Sequence, residues 1–363
     1  MRLLAKNDAP HPYPRLSADD ACIFSGVRFL RNAAGHRFIS QNDDGSAADE
    51  RHGAKKIYDA AMSVPDGRFS SCSENCIKGL LGYLLKLESL SPVDAAGPGV
   101  RNGLALHARK PDGQFLMFDQ ADHSALTVFG RGTGIDAHFA RAMDSLDELE
   151  KRISFAWDPV LGYLTAAPDR VGTGMEVFRV VHLEGLYLIG ELEAVLRSFE
   201  ALQIGVRSVQ LDGFSAAGHV FMLENRKTLG MDEREILEGF RRATDSLLEQ
   251  ELNARARLVR EMPVVLSDSV HRALAIMREC RLLSSAEFLD LLGPVALAAS
   301  LGFTAGVPYG EILDLFIFNE IDSAEAKGET PEEADRTDAK LAQNVHRFAD
   351  MLKIVNRGRR SLP

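Results

Sequence analysis

Apolar positions alternate between strand-like and helical spacing over the first two-thirds of this chain, then settle on helical spacing alone. Residues 23–29 form a short apolar stretch that reads as a strand. Residues 104–108 and 115–118 read as two more, with Lys110, Pro111, Asp112 and Gly113 supplying the turn between them. From 135 to 153 the spacing becomes helical, with Phe139, Met143, Leu146 and Leu149 at steps of three or four. Residues 185–202 repeat that pattern through Leu188, Leu192, Val195, Phe199 and Leu202, which predicts one helix face. Strands are predicted at 206–211 and 220–223, with a flexible run, 212–218, between them. A long charged helix is predicted over 232–259, and Asp232 and Glu235 resemble a capping box at its start.

After Pro263 no strand pattern is legible. Val270, Leu274 and Met277 line one helix, and 286–292, 309–318 and 333–354 suggest three more. Pro12 and Pro14 make 1–20 a loose arm, 40–49 reads as a loop, 77–90 as a helix and 91–99 as a Pro/Gly linker. The expected organisation is an arm (1–20), a mixed domain (21–259) and a helical domain (260–363). Leu188, Phe199, Val220 and Phe221 are expected in the core.

The net charge of −10 argues against a nucleic-acid surface. The N-terminal segment lacks the apolar core of a signal peptide, and no run of 18 apolar residues spans a membrane, so a cytoplasmic protein is expected. The cysteines Cys22, Cys72, Cys76 and Cys280 are spread too widely to complete a four-ligand metal site and read as reduced thiols.

Several segments carry a resemblance: SGVRFLRN at 25–32, FDQADH at 118–123, FAWDPVLGYLTAAPDRVGTG at 155–174, HLEGL at 182–186, VRSVQLDGFSAAGHVFMLENRKTLG at 206–230 and ECRLLSSAE at 279–287. In order and spacing the chain resembles the bacterial protein arginine kinases, relatives of creatine and arginine kinases, from about residue 20 to about residue 345. The resemblance implies an α+β fold of glutamine-synthetase-like type. An antiparallel sheet flanked by helices carries the active site, and a small all-helical C-terminal domain follows. It also implies MgATP as cofactor and transfer of its γ-phosphoryl group to a guanidinium. That chemistry needs a carboxylate to take a proton and a fan of arginines around the phosphates.

Most of those side chains are replaced. Of the five fan arginines, the resemblance leaves Arg28 and Arg207, while Gly26, Ala125 and Glu176 stand at the other positions. Three lost donors remove on the order of 5–9 kcal/mol of binding if additive, and Glu176 is expected to repel phosphates. The family's Asn-Glu-Glu-Asp-His becomes Asp119, Gln120, Ala121, Asp122 and His123, so Asp119 and Asp122 are the remaining candidate acids there. Two further family glutamates map to Asp212 and Ser215. The reactive-site cysteine maps to Ala167, and Arg170 enters the same loop as a possible substitute cation. Ser25 is a candidate for the phosphate side. A second, phosphoarginine-binding element of the bacterial branch maps to Ala334, Asp335, Arg336, Thr337 and Asp338, without its two outer arginines.

His123 and His182 are expected to be structural, and the sole tryptophan, Trp157, to pack at the start of the Leu161 segment. Three readings remain open: a pseudokinase that binds or regulates a protein partner, a divergent ATP-dependent phosphotransferase on protein arginine or another guanidino substrate, and a structural relic. Oligomeric state is open in the sequence itself, and the resemblance implies a homodimer.

Overall fold

A computed structural model describes residues 16–38, 47–65, 69–71, 103–109, 112–118, 121–208, 217–316 and 331–355. Its centre is an eight-stranded antiparallel sheet in the order β2-β3-β4-β5-β1-β8-β10-β9. In chain order these are β1 (Cys22–Arg31), β2 (Ser70–Ser71), β3 (Gly103–Arg109), β4 (Asp112–Phe118), β5 (Ser124–Arg131), the small hairpin β6 (Trp157–Asp158) and β7 (Gly162–Tyr163), then β8 (Met175–His182), β9 (Ile204–Ser208) and β10 (Val220–Asn225). The hairpin forms its own two-stranded ladder.

Both faces of the sheet are covered, so the central strands are buried along nearly their whole length. One face packs Val27, Phe29, Leu126, Val128, Val177 and Leu223 beneath α1 (Ala47–Met62), α2 (Ile135–Glu150), the pair α3 (Glu184–Leu188) and α4 (Leu192–Ala201), and most of α5 (Glu233–Glu261). The other face packs Phe24, Phe115, Phe129, Phe178, Val180 and Met222 against α6 (Pro263–Glu279), α7 (Ser285–Ser300), α8 (Tyr309–Leu315) and α9 (Pro331–Met351). Helix α5 links the two layers. Its Ile236, Phe240 and Leu247 serve the first face, and Leu258 and Val259 reach the second. It opens on Asp232, whose carboxylate accepts from Glu235 N at 2.8 Å, the reciprocal cap that the sequence predicts.

Several expectations are corrected. The single helix over 185–202 is two, because Gly190 at φ +75° breaks the ladder between them. Leu202 follows the second helix and is exposed. Strands β5 and β8 carry no clear alternating pattern and add to the expected strands, and helix α1 begins at Ala47, inside the 40–49 stretch that reads as a loop. Asp112 and Gly113 belong to β4 rather than to a turn. A two-residue ladder joins Thr304–Ala305 to Lys353–Ile354 among the C-terminal helices. Trp157 does not pack inward; it is 59% exposed. Leu188 is only partly buried, whereas Phe199, Val220 and Phe221 lie in the core. The regions 77–90 and 91–99, and Cys72 and Cys76, lie outside the described residues.

Candidate functional site

Strand register builds the site. Arg28 on β1 lies opposite Thr127 on β5 and Glu176 on β8, so three polar side chains stand in one row across the sheet. The row continues the face that carries Phe24, Phe178 and Met222, beyond the point where apolar packing ends. Arg28 Nη1 lies 3.2 Å from Glu176 Oε2, and Arg28 Nε donates to Thr127 Oγ1 at 3.4 Å. Arg170 reaches the other carboxylate oxygen, with Nη1 2.7 Å from Glu176 Oε1. On β9, Arg207 Nε donates to Glu224 Oε1 at 3.0 Å, and its Nη2 approaches the same oxygen.

Arg170 gets its direction from a clamped loop. Pro168 opens a short turn over Pro168–Arg170, and the Thr228 hydroxyl donates to the carbonyls of Asp169 at 3.1 Å and Val171 at 2.8 Å. Gly172 follows at φ +117°, where a Cβ would lie 2.3 Å from Thr228 O. Arg31 closes the loop from below. Its Nη1 donates to Thr173 O at 2.9 Å, and its guanidinium lies 3.6 Å from the centre of the Tyr163 ring.

Glu176 is the pivot of this cluster, only 13% exposed at its side chain. Burial pushes its carboxyl up, but Arg28, Arg170 and Arg207 outweigh that and hold it below the usual carboxylate range. The carboxylate does more than repel an incoming phosphate: it already takes the charge of two guanidiniums that would face one. The other two lost fan positions are also filled. A Cβ at Gly26 would lie 2.5 Å from the Phe178 ring and 2.8 Å from Phe129 Cβ, so apolar packing has closed the place of an arginine. Ala125 is fully buried in the same apolar cluster.

Asp122 is placed as a strut. Its Oδ1 accepts from Asn32 Nδ2 at 2.5 Å and from Ala166 N at 2.7 Å, joining the end of β1 to the loop that carries Ala167. Burial pushes its carboxyl up, partly offset by those two donors. Asn32, which the sequence reading did not single out, also accepts from His123 N at 2.8 Å. His123 is buried, accepting from Ala33 N at Nδ1 and meeting Arg37 O at Nε2, 2.7 Å away. The only signal for Asn32 is its place after Arg31 in SGVRFLRN.

Ser25 lies three residues before Arg28 and therefore on the opposite face of β1, buried opposite Gly130 and Arg179. Asp119, Asp212 and Ser215 lie outside the described residues. Arg336 sits exposed on α9. Among the described residues no group of three or more His, Cys, Asp or Glu could hold a metal ion, and no helix is long and apolar enough to cross a membrane.

A polyphosphate needs cations free to receive it. Here Arg28 and Arg170 face Glu176 and Arg207 faces Glu224, so the cluster as arranged does not fit one.

The family described as ATP:guanido phosphotransferase, C-terminal catalytic domain, matches residues 100–254, and at family level that description implies nucleotide binding. A protein-arginine kinase of Bacillus cereus (strain B4264) is 27% identical over 316 residues, covering 86% of this chain and 88% of that protein. One from Bacillus mycoides (strain KBAB4) is 26% identical over the same length. Among solved structures, lombricine kinase superposes with a TM-score of 0.51 at 19% identity, over 69% of this chain and 73% of that one. The duplicated taurocyamine kinase of Schistosoma mansoni superposes at 0.52 with 15% identity, over 74% of this chain and 42% of that one. The bacterial relatives and the family match over 100–254 are what this chain is similar to, and the two solved kinases share its fold.

Proposed function

We propose that this protein is a pseudokinase: a protein arginine kinase scaffold kept for binding or regulation, with no working ATP:guanidino phosphotransfer. The observation that carries the reading is the pairing of Arg28 and Arg170 with Glu176, and of Arg207 with Glu224. Phosphoryl transfer relies almost wholly on positioning and on positive charge held ready for the phosphates. In this chain that charge is neutralised from within, and Phe129 and Phe178 close a third arginine position. Asp122, the one described candidate acid, holds a loop through both Asn32 and Ala166.

The partner implied by this reading is another protein. The test is phosphotransfer from γ-labelled MgATP to protein arginine and to free guanidino compounds. The pseudokinase reading predicts no incorporation above the Arg207→Ala background. Incorporation that Arg207→Ala abolishes would favour the divergent-enzyme reading instead.

A further inference from the structure

The hairpin from Trp157 to Tyr163 exposes three apolar side chains that no packing requirement explains. Trp157 is 59% exposed, Val160 84% and Leu161 43%. Scattered exposed apolar residues are ordinary, but these three share one short hairpin whose backbone is held from every side. The Asp158 carboxylate accepts from Val160 N at 2.8 Å and from Leu161 N at 2.9 Å. Gly162, at φ +77°, turns the chain where a Cβ would lie 2.6 Å from Gly172 O. Tyr163 N donates to Gly172 O at 2.7 Å, and Gly172 N returns a bond to Tyr163 O at 3.1 Å. Behind the tip, the Tyr163 ring lies on Arg31 and its hydroxyl donates to Glu150 Oε1 at 2.6 Å. A rigid tip loses little entropy when it docks, and tryptophan on such a tip is the side chain that most often anchors an interface.

The charges beside the tip say what can cover it. Asp158 sits in the turn itself. Glu150 is tied to Tyr163, and Glu233 is close enough to act electrostatically on the Tyr163 hydroxyl and Arg31. Lys151 and Arg152 share the single carboxylate of Glu148, and Arg31 is buried against the Tyr163 ring, so three carboxylates stand against one net positive charge at the surface. An apolar tip in an acidic surround meets like charge in a second copy related by a twofold axis, and it is repelled by an anionic lipid surface.

We infer that the Trp157–Tyr163 hairpin is a docking tip for a protein partner that offers an apolar helical face edged by arginine or lysine. This goes beyond the pseudokinase reading and does not depend on it, since the tip is built the same way whether or not the cleft takes nucleotide.

Trp157 is the sole tryptophan, so its emission reports the tip directly. The probes are two synthetic amphipathic helical peptides with the same leucine face, one flanked by lysines and one by glutamates. They are titrated into the full chain and into its Val160→Ser/Leu161→Ser variant, with sedimentation run in parallel. Both changes are at exposed positions, and the variant's melting temperature checks that it folds. The lysine peptide is expected to shift Trp157 emission to the blue and saturate. Its Kd should rise about tenfold or more in the double variant, and the glutamate peptide should bind about tenfold or more weakly. Equal response to the two peptides, no response to either, or unchanged affinity in the double variant overturns the inference. So does a blue shift that grows with protein concentration alone alongside sedimentation as a dimer, which would make the tip a self-contact.

Discussion

Replacing Glu176 with glutamine removes one charge and keeps the size of the side chain. Glu176 faces Arg28 at 3.2 Å and Arg170 at 2.7 Å. Unit charges about 4 Å apart attract by about 4 kcal/mol at an effective dielectric near 20. Desolvation returns much of that, and a charge-assisted hydrogen bond nets about 1.5–3 kcal/mol. A phosphate entering the site must therefore displace about 3–6 kcal/mol of internal pairing, on the order of 10²–10⁴-fold in Kd. Neighbouring pairs are not additive, so the lower end, about a hundredfold, is the working figure. Glu176→Gln should tighten pyrophosphate binding by that factor, measured by titration calorimetry near neutral pH and low salt. The same change leaves two guanidiniums facing an amide and should lower the unfolding free energy by about 1–3 kcal/mol. Equal pyrophosphate affinity in the two proteins would refute the idea that Glu176 competes for these arginines.

Gly26→Ala should destabilise the fold by about 1–3 kcal/mol in denaturant unfolding, because its Cβ meets Phe178, Phe129 and Val128 O; Gly26→Arg should fail to restore nucleotide binding for the same reason. Asp122→Ala should speed amide exchange at Ala166, since the carboxylate is that amide's acceptor; unchanged exchange would mean the loop is held by other contacts. Arg255→Leu should cost about 3–5 kcal/mol, because it strands Glu251, fully buried on the same helix and otherwise held by the amides of Gly185 and Leu186. His182 gives a pH signature: burial, then Arg255 and His219, hold its pKa well below the usual imidazole value. The unfolded chain takes up a proton below about pH 6.5 that the folded state refuses. This contribution to stability is present above that pH and lost as pH falls, at up to about 1.4 kcal/mol per unit. His182→Asn should flatten the slope between roughly pH 5 and 6.5, and an unchanged slope would assign it to another group.

The helices are legible where one face is wet, and β1 and β10, buried on both faces, are legible only as short continuous apolar runs. Helix α2 shows its period because only one side is buried, through Phe139, Leu146 and Leu149. Strands β5 and β8 are packed on both sides, so alternation vanishes and buried runs such as Ser124–Arg131 read as neither strand nor helix. The break at Gly190 was hidden by an apolar spacing that runs on across it. At the site, the sequence named Arg28, Arg170, Arg207 and Glu176 as charges in play. Their pairing needed the register of β1 against β8 and the turn that Thr228 clamps, which are tertiary facts. The same holds for Gly26: the missing side chain is visible in the sequence, but the two phenyl rings that fill its place come from strands about 100 and 150 residues away.

The central claim is that in-chain carboxylates hold the arginines a nucleotide would need. Titration calorimetry of MgATP and MgADP into the unaltered protein tests it most directly, with the Arg28→Ala/Arg207→Ala protein as control. The account predicts no saturable binding up to millimolar nucleotide. Micromolar binding that disappears in the control would contradict it, because the same arginines would then be shown to leave Glu176 and Glu224 for a phosphate.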